Sequence, residues 1–122
     1  MTESDLQVLD TSVLDALCAS VGDDRDFVVD LVETYLADGD VQIQALATAG
    51  AAGDATAAVR PAHTLKSSSA TVGAMRLAAA ARGLEATTRA GQAPVADDID
   101  ALATELAAVS RALRTWTGGG AG

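Results

Sequence analysis

The chain has almost no aromatic residues, a single cysteine, a single histidine and few positive charges, and each shortage excludes something. Phe27, Tyr35 and Trp116 are the only aromatics in 122 residues, and alanine dominates an apolar fraction of 49%. That composition favours closely packed helices over sheets. Cys18 is alone, so no internal disulfide can form, and its place on the inner side of a short helix makes it a core residue. Eight Lys and Arg against 17 Asp and Glu leave a net charge of −9. Such a balance argues against nucleic acid, whose binders need a basic stripe to neutralise phosphates and displace counterions. No run of about 18 apolar residues is available to span a bilayer, and the acidic opening MTESDLQVLD lacks the apolar centre of a secretion signal. A soluble cytoplasmic protein is expected. The length suits one domain with one core and is too short for a catalytic domain plus a nucleotide-binding domain. Met1 and the missing second domain suggest a chain that stands alone, with a piece of a larger protein as the alternative.

What is present is helical periodicity. Asp10 and Thr11 offer N-cap oxygens to a short helix over about residues 11–20, with Val13, Leu14, Leu17 and Cys18 at helical spacing before Gly22. From Asp23 a long helix runs to about Ala49, with acids in its first turn and Phe27, Leu31, Tyr35, Val41 or Gln42, and Leu46 along one side. Gly39 is a weak breaker inside it and a candidate kink. The turn GAAGD, residues 50–54, stops that helix and supplies Asp54 as the next N-cap; no strand precedes it and no P-loop lysine follows. A third helix reaches Val72 with Ala58, Ala62, Leu65, Ser69 and Val72 as its buried seam, and Pro61 should kink or restart it. A fourth, from about Ala74 to Arg89, turns Leu77, Ala81 and Leu84 inward before Gly91 and Pro94. The last opens on Asp97 and Asp98, closes on Arg111 and Arg114, and carries Ile99, Leu102, Leu106, Val109, Leu113 and Trp116 on one face. Stripes of this kind bury only against one another. The expected fold is all-α: an up-down antiparallel four-helix bundle with a short additional N-terminal helix over residues 1–117, and a flexible glycine-rich tail over residues 118–122.

The only histidine, His63, falls on the outside of this bundle. With Ala62 and Leu65 facing the core, His63 lies about 100° round the helix from Ala62 and shares its side with Lys66, Ser67 and Ala70. Arg60 is one turn before it. The ring is thus flanked by two cations in an acidic chain, with small residues beside it, which leaves room for an anion and for another protein's surface. A metal site would need a second histidine or cysteine, and neither exists. A serine hydrolase would need an oxyanion hole that Ser67, Ser68 and Ser69 on a bundle exterior do not provide. A solitary exposed imidazole beside cations can accept a phosphoryl group on nitrogen.

The segment AHTLKSSSATVGAMRLAAAARGLE resembles the signature of histidine-containing phosphotransfer (HPt) domains. In that family an H-x-L-K-G/S-S-S motif is followed by G-A, a run of small and leucine positions, and L-E or L-Q. The upstream short helix, G-D-D start, long helix and G-D turn are also similar, and the resemblance spans about residues 8–116. It implies that His63 is the phosphoacceptor, that Lys66 helps hold the phosphoryl oxygens, and that the small Ser67, where many members have glycine, lets a receiver approach. Glu85, at the position of the family's Gln or Glu, is implied to accept a hydrogen bond from His63 Nδ1 so that Nε2 points outward. Arg60, Ser67, Ala70 and Arg82 are the expected docking residues.

The resemblance further implies a relay component rather than an enzyme, without an ATP site or autokinase activity. Its partners would be response-regulator receiver domains and a hybrid histidine kinase, with no nucleic acid and no membrane. No cofactor is expected on this chain, Mg²⁺ being carried by the receiver, and a monomer is expected. The dimerisation domain of a histidine kinase is a poorer match, because Thr64 follows the histidine where that pattern has an acid. A docking scaffold in which His63 is incidental is the other alternative.

Overall fold

The computed structural model describes residues 7–118. Five α-helices follow in order: α1 Thr11–Ser20, α2 Arg25–Ala51, α3 Ala55–Val72, α4 Met75–Arg89 and α5 Ala96–Trp116, with no strand among the described residues. Short acidic side chains set most of the starts by accepting N–H groups that have no partner within the helix. Asp10 accepts from Ser12 at 3.1 Å, Asp24 from Phe27 at 3.1 Å and Asp54 from Ala57 at 3.0 Å. At the head of α5, Asp98 instead reaches back to the Val95 N–H at 3.0 Å.

The helices pack in a closed circuit, in which α3 meets α2 and α4, and α5 meets α2 and α4. Leu46, Leu65, Leu77, Leu102 and Leu113 fill the middle, each almost without exposure. All five seam residues expected on α3 and all three on α4 are buried; on α5, Leu102 to Leu113 are buried and Ile99 and Trp116 lie at the margin. Cys18 is also at the margin, half-buried against the core. One buried polar pair crosses the interior. The Tyr35 hydroxyl and Ser69 Oγ lie 2.8 Å apart, tying α2 to α3. Burial pushes the Tyr35 phenol up to about 12, the Ser69 bond opposing it in part.

α2 is rotated from the face its periodicity suggests. Phe27 and Val41 are 50% and 60% exposed, whereas Val28, Val32, Tyr35, Gly39, Ile43 and Leu46 are buried. Both faces carry aliphatic residues, so the pattern alone is ambiguous, and close approach settles it. A Cβ on Gly39 would sit 3.2 Å from both methyl carbons of Leu106, so the side of α2 bearing Gly39 is the one that admits α5. The helix runs through Gly39 unbroken. α3 likewise continues through Pro61, without the restart that is one of the two outcomes expected there from sequence. The bond lost there is the one to the Ala57 carbonyl, near the start of the helix.

α1 packs on α2 and α3. The chain entering it is held at the α3–α4 turn, where Asp10 N donates to Gly73 O at 2.8 Å and Arg76 N to Gln7 O at 3.2 Å. Gly73 has a φ of +87°, and a Cβ there would stand 2.5 Å from the Asp10 carbonyl oxygen. Glycine is required on both counts. At the opposite edge, Arg25 of α2 stacks 4.1 Å from the centroid of the Trp116 ring, and Trp116 Nε1 donates to Asp15 of α1 at 3.2 Å. Of the tail expected at 118–122, Gly118 closes a turn and the remainder lies outside the described residues.

Candidate functional site

His63 sits in the middle of α3, between Ala62 and Leu65 that anchor the helix to the core at 0% exposure. Its own side chain is 52% exposed. The neighbouring α4 carries Glu85 next to Leu84 on the stripe that packs under α3, so its side chain is only 8% exposed. The two meet: His63 Nδ1 lies 2.9 Å from Glu85 Oε2. Lys66, one turn after His63 on α3, places Nζ 2.7 Å from Glu85 Oε1. Three residues expected from sequence thus form one cluster, centred on a carboxylate that is covered while its partners reach solvent.

A fourth member was not expected. Arg89, one turn after Glu85 on α4, donates to Oε2 through Nε at 3.0 Å and Nη2 at 2.8 Å. The i,i+4 spacing of Glu85 and Arg89 on a helix is the sequence signal that finds it. Lys66 first and Arg89 second hold the Glu85 carboxyl at about 2, well below its usual 4.5; burial opposes them and the His63 bond adds to them. An ionised carboxylate can only accept. Nδ1 of a neutral His63 therefore carries the proton, and Nε2 keeps its lone pair, free of any partner within the cluster.

Lys66, Ser67, Ala70 and Arg82 converge on one shallow groove of about 410 Å³ between α3 and α4, whose floor is made by Met75, Ala78 and Ala79. Arg60 does not line it; it is exposed one turn before His63. Arg60 and Arg82 have no ion-pair partner among the described residues, whereas Arg76 pairs with Glu105 at 2.9 Å. A larger groove of about 550 Å³ between α4 and α5 has Asp98 and no cation on its walls, and lies away from His63. Charge is segregated along the chain. The stretch 55–96 holds five of the eight cations (Arg60, Lys66, Arg76, Arg82 and Arg89) and one of the 17 acids, Glu85. The α3–α4 segment that carries His63 therefore has a net positive formal charge within an acidic chain. No three His, Cys, Asp or Glu side chains converge as a metal site among the described residues, and no helix among them is long and apolar enough to cross a membrane.

The arrangement suits nucleophilic attack by an oriented ring nitrogen on an anionic centre, with cations at hand for charge. Comparison with known proteins agrees in kind. The family model of the Hpt domain matches residues 30–112. Among solved structures, the chain is similar to histidine-containing phosphotransfer protein B (HptB) from Pseudomonas aeruginosa PAO1. The TM-score is 0.79 and the identity 30%, over 90% of this chain and 94% of that one. No curated protein sequence matches the chain.

Proposed function

The chain belongs to the Hpt domain family, and on that premise we propose that it is a phosphorelay intermediate of two-component signalling whose acceptor is His63. A receiver-domain aspartyl phosphate donates the phosphoryl group to Nε2, and His63 passes it to a second receiver or back. The observation that carries this reading is the 2.9 Å contact between a half-exposed imidazole and a buried, ionised Glu85. It orients the ring and, in the neutral imidazole, selects the tautomer with the proton on Nδ1 and the lone pair on the outer nitrogen.

Phosphoryl transfer asks the protein for in-line positioning and charge neutralisation more than for covalent chemistry. His63 supplies the nucleophile and Lys66 a cation for the phosphoryl oxygens. Ser67 and Ala70 keep the approach open, and Arg60 and Arg82 give an acidic partner surface something to meet. The receiver brings Mg²⁺, which neutralises the same oxygens from its side. With no glycine-rich ATP motif in its sequence, the chain acts as a carrier rather than a kinase, and a hybrid histidine kinase stands upstream. We read α2 to α5 as an up-down antiparallel bundle, with α1 as the short additional helix, working as a cytoplasmic monomer. The closed packing circuit and the short connections at 52–54 and 73–74 support that arrangement.

The test is intact mass and acid lability after incubation with a phosphorylated receiver and Mg²⁺, beside ATP alone and the His63→Gln variant. The relay reading expects one acid-labile phosphoryl group, from the receiver only, and none on the variant. A chain that binds receivers but takes no phosphoryl group from any of them is a docking scaffold instead.

A further inference from the structure

Glu85 has two oxygens and three partners, and transfer sets those partners in conflict. Oε1 takes Lys66 Nζ at 2.7 Å; Oε2 takes His63 Nδ1 at 2.9 Å together with both Arg89 nitrogens, at 3.0 and 2.8 Å. The Glu85 side chain is 8% exposed, against 31% for Lys66 and 59% for Arg89. A carboxylate so covered is costly to leave without a facing cation.

On the relay reading above, on which this inference rests, Nε2 attacks phosphorus and the new N–P bond forms. The bond from phosphorus to the aspartyl oxygen breaks, and the carboxylate leaves with the electron pair. Nδ1 keeps its proton, so the ring gains a positive charge that the Glu85 carboxylate faces. The anionic phosphoryl group now lies one helical turn from Lys66, whose Nζ is already engaged on Oε1. A lysine ammonium is a point charge on a flexible stem and can move; a guanidinium forked onto one oxygen from the same helix is held in place.

We propose that Arg89 is a positioning residue: it keeps Glu85 charged and in place on Oε2 while Lys66 leaves Oε1 for the incoming phosphoryl oxygens. Arg89 acts through Glu85 and does not touch the phosphoryl group. Without it, Lys66 is the only cation on a covered carboxylate until the ring itself becomes charged, and it is held there as the phosphoryl group arrives.

The charge logic gives a specific test, made on the full chain with a phosphorylated receiver and Mg²⁺. Arg89→Ala slows loading of His63 about tenfold, the scale of one charge-assisted hydrogen bond, and Arg89→Lys recovers part of it. In a Glu85→Gln background the neutral amide no longer holds Lys66, so adding Arg89→Ala causes no further slowing. In a Lys66→Ala background Arg89→Ala likewise adds little. Helix content and urea midpoint of each variant separate these effects from unfolding. An Arg89→Ala variant that loads at the wild-type rate overturns the proposal, as does a tenfold loss that persists in the Glu85→Gln background, the mark of direct phosphoryl contact. A wild-type chain that never loads overturns the relay reading and this inference together; a wild-type chain that loads, with Arg89→Ala unaffected, overturns this inference alone.

Discussion

Glu85 of α4 accepts from His63 of α3 at 2.9 Å, across the helix pair that packs most extensively in the molecule. An acid buried between two helices therefore governs a base on the surface. The link fixes which nitrogen of the imidazole is free, and it makes the chemistry of His63 depend on the packing of α3 against α4.

Glu85→Ala removes that link. The ring can then rotate and exchange tautomers, so loading of His63 by a phosphorylated receiver falls about tenfold, as expected for losing one hydrogen bond to a charged group. Nitrogen-15 NMR of the imidazole checks the cause: the wild type shows the Nδ1–H form, and the variant a mixture. A variant with unchanged tautomer and unchanged rate would show Glu85 to be a bystander.

The same carboxylate sets an acid limit on stability. Lys66 and then Arg89 hold Glu85 at about 2 in the fold, below its usual 4.5. Because the folded value is the lower one, the contribution is fully present above about pH 4.5 and is lost as pH falls towards 2. Urea midpoints of wild type and Glu85→Gln should therefore differ at pH 7 and converge by pH 2. A difference that stays constant over this window would mean that the ion cluster does not contribute.

Tyr35 and Ser69 test the interior. Tyr35→Phe strands a buried Ser69 hydroxyl that shares a 2.8 Å bond with the phenol, at a cost of about 1–3 kcal/mol. The double variant Tyr35→Phe, Ser69→Ala removes both polar groups and should recover most of the loss. Urea unfolding of the two single variants and the double variant gives the coupling directly.

Much of this was legible in the sequence because α3, α4 and α5 each carry one apolar stripe against a polar remainder. His63, Lys66 and Glu85 follow from the motif once those stripes are placed. On α2, Tyr35 and Leu46 are buried as expected, but Phe27 and Leu31 compete with Val28 and Val32 for the core and Phe27 is left exposed. What decides between them is the space Gly39 leaves for Leu106, a tertiary fact that no periodicity encodes. Pro61 does not end α3: it falls in the second turn of the helix, removes one backbone bond there and is itself buried against the core. Arg89 was within reach, four residues after Glu85, but an arginine near a helix end reads equally well as a partner for the helix dipole.

Gly73→Ala probes the turn that joins α3 to α4. The residue would have to hold φ at +87° with its Cβ 2.5 Å from the Asp10 carbonyl oxygen. Left-handed backbone alone costs about 1–2 kcal/mol for an L residue, and the clash requires Asp10 to move, breaking its 2.8 Å bond to Gly73 O. A loss of about 2 kcal/mol or more in urea unfolding is expected, with faster amide exchange in α1. Because His63 lies ten residues back along α3, loading by a receiver should change little under conditions where the variant stays folded.

The cationic α3–α4 segment predicts how a partner arrives. With five of the eight cations and one of the 17 acids in residues 55–96, an acidic receiver surface is attracted to this segment of the molecule and repelled by the rest. Association should slow as ionic strength rises, the salt screening charges beyond about 10 Å at 0.1 M. Arg60 and Arg82 have no ion-pair partner among the described residues, so their removal leaves no buried charge behind. Arg60→Ala and Arg82→Ala should each lower the association rate several-fold at low salt and flatten its salt dependence, with little change in the dissociation rate. Stopped-flow binding across a salt series measures both rates. Association that ignores salt, or variants that change only dissociation, would assign recognition to the small-residue groove of Ser67, Ala70 and Ala78 rather than to charge.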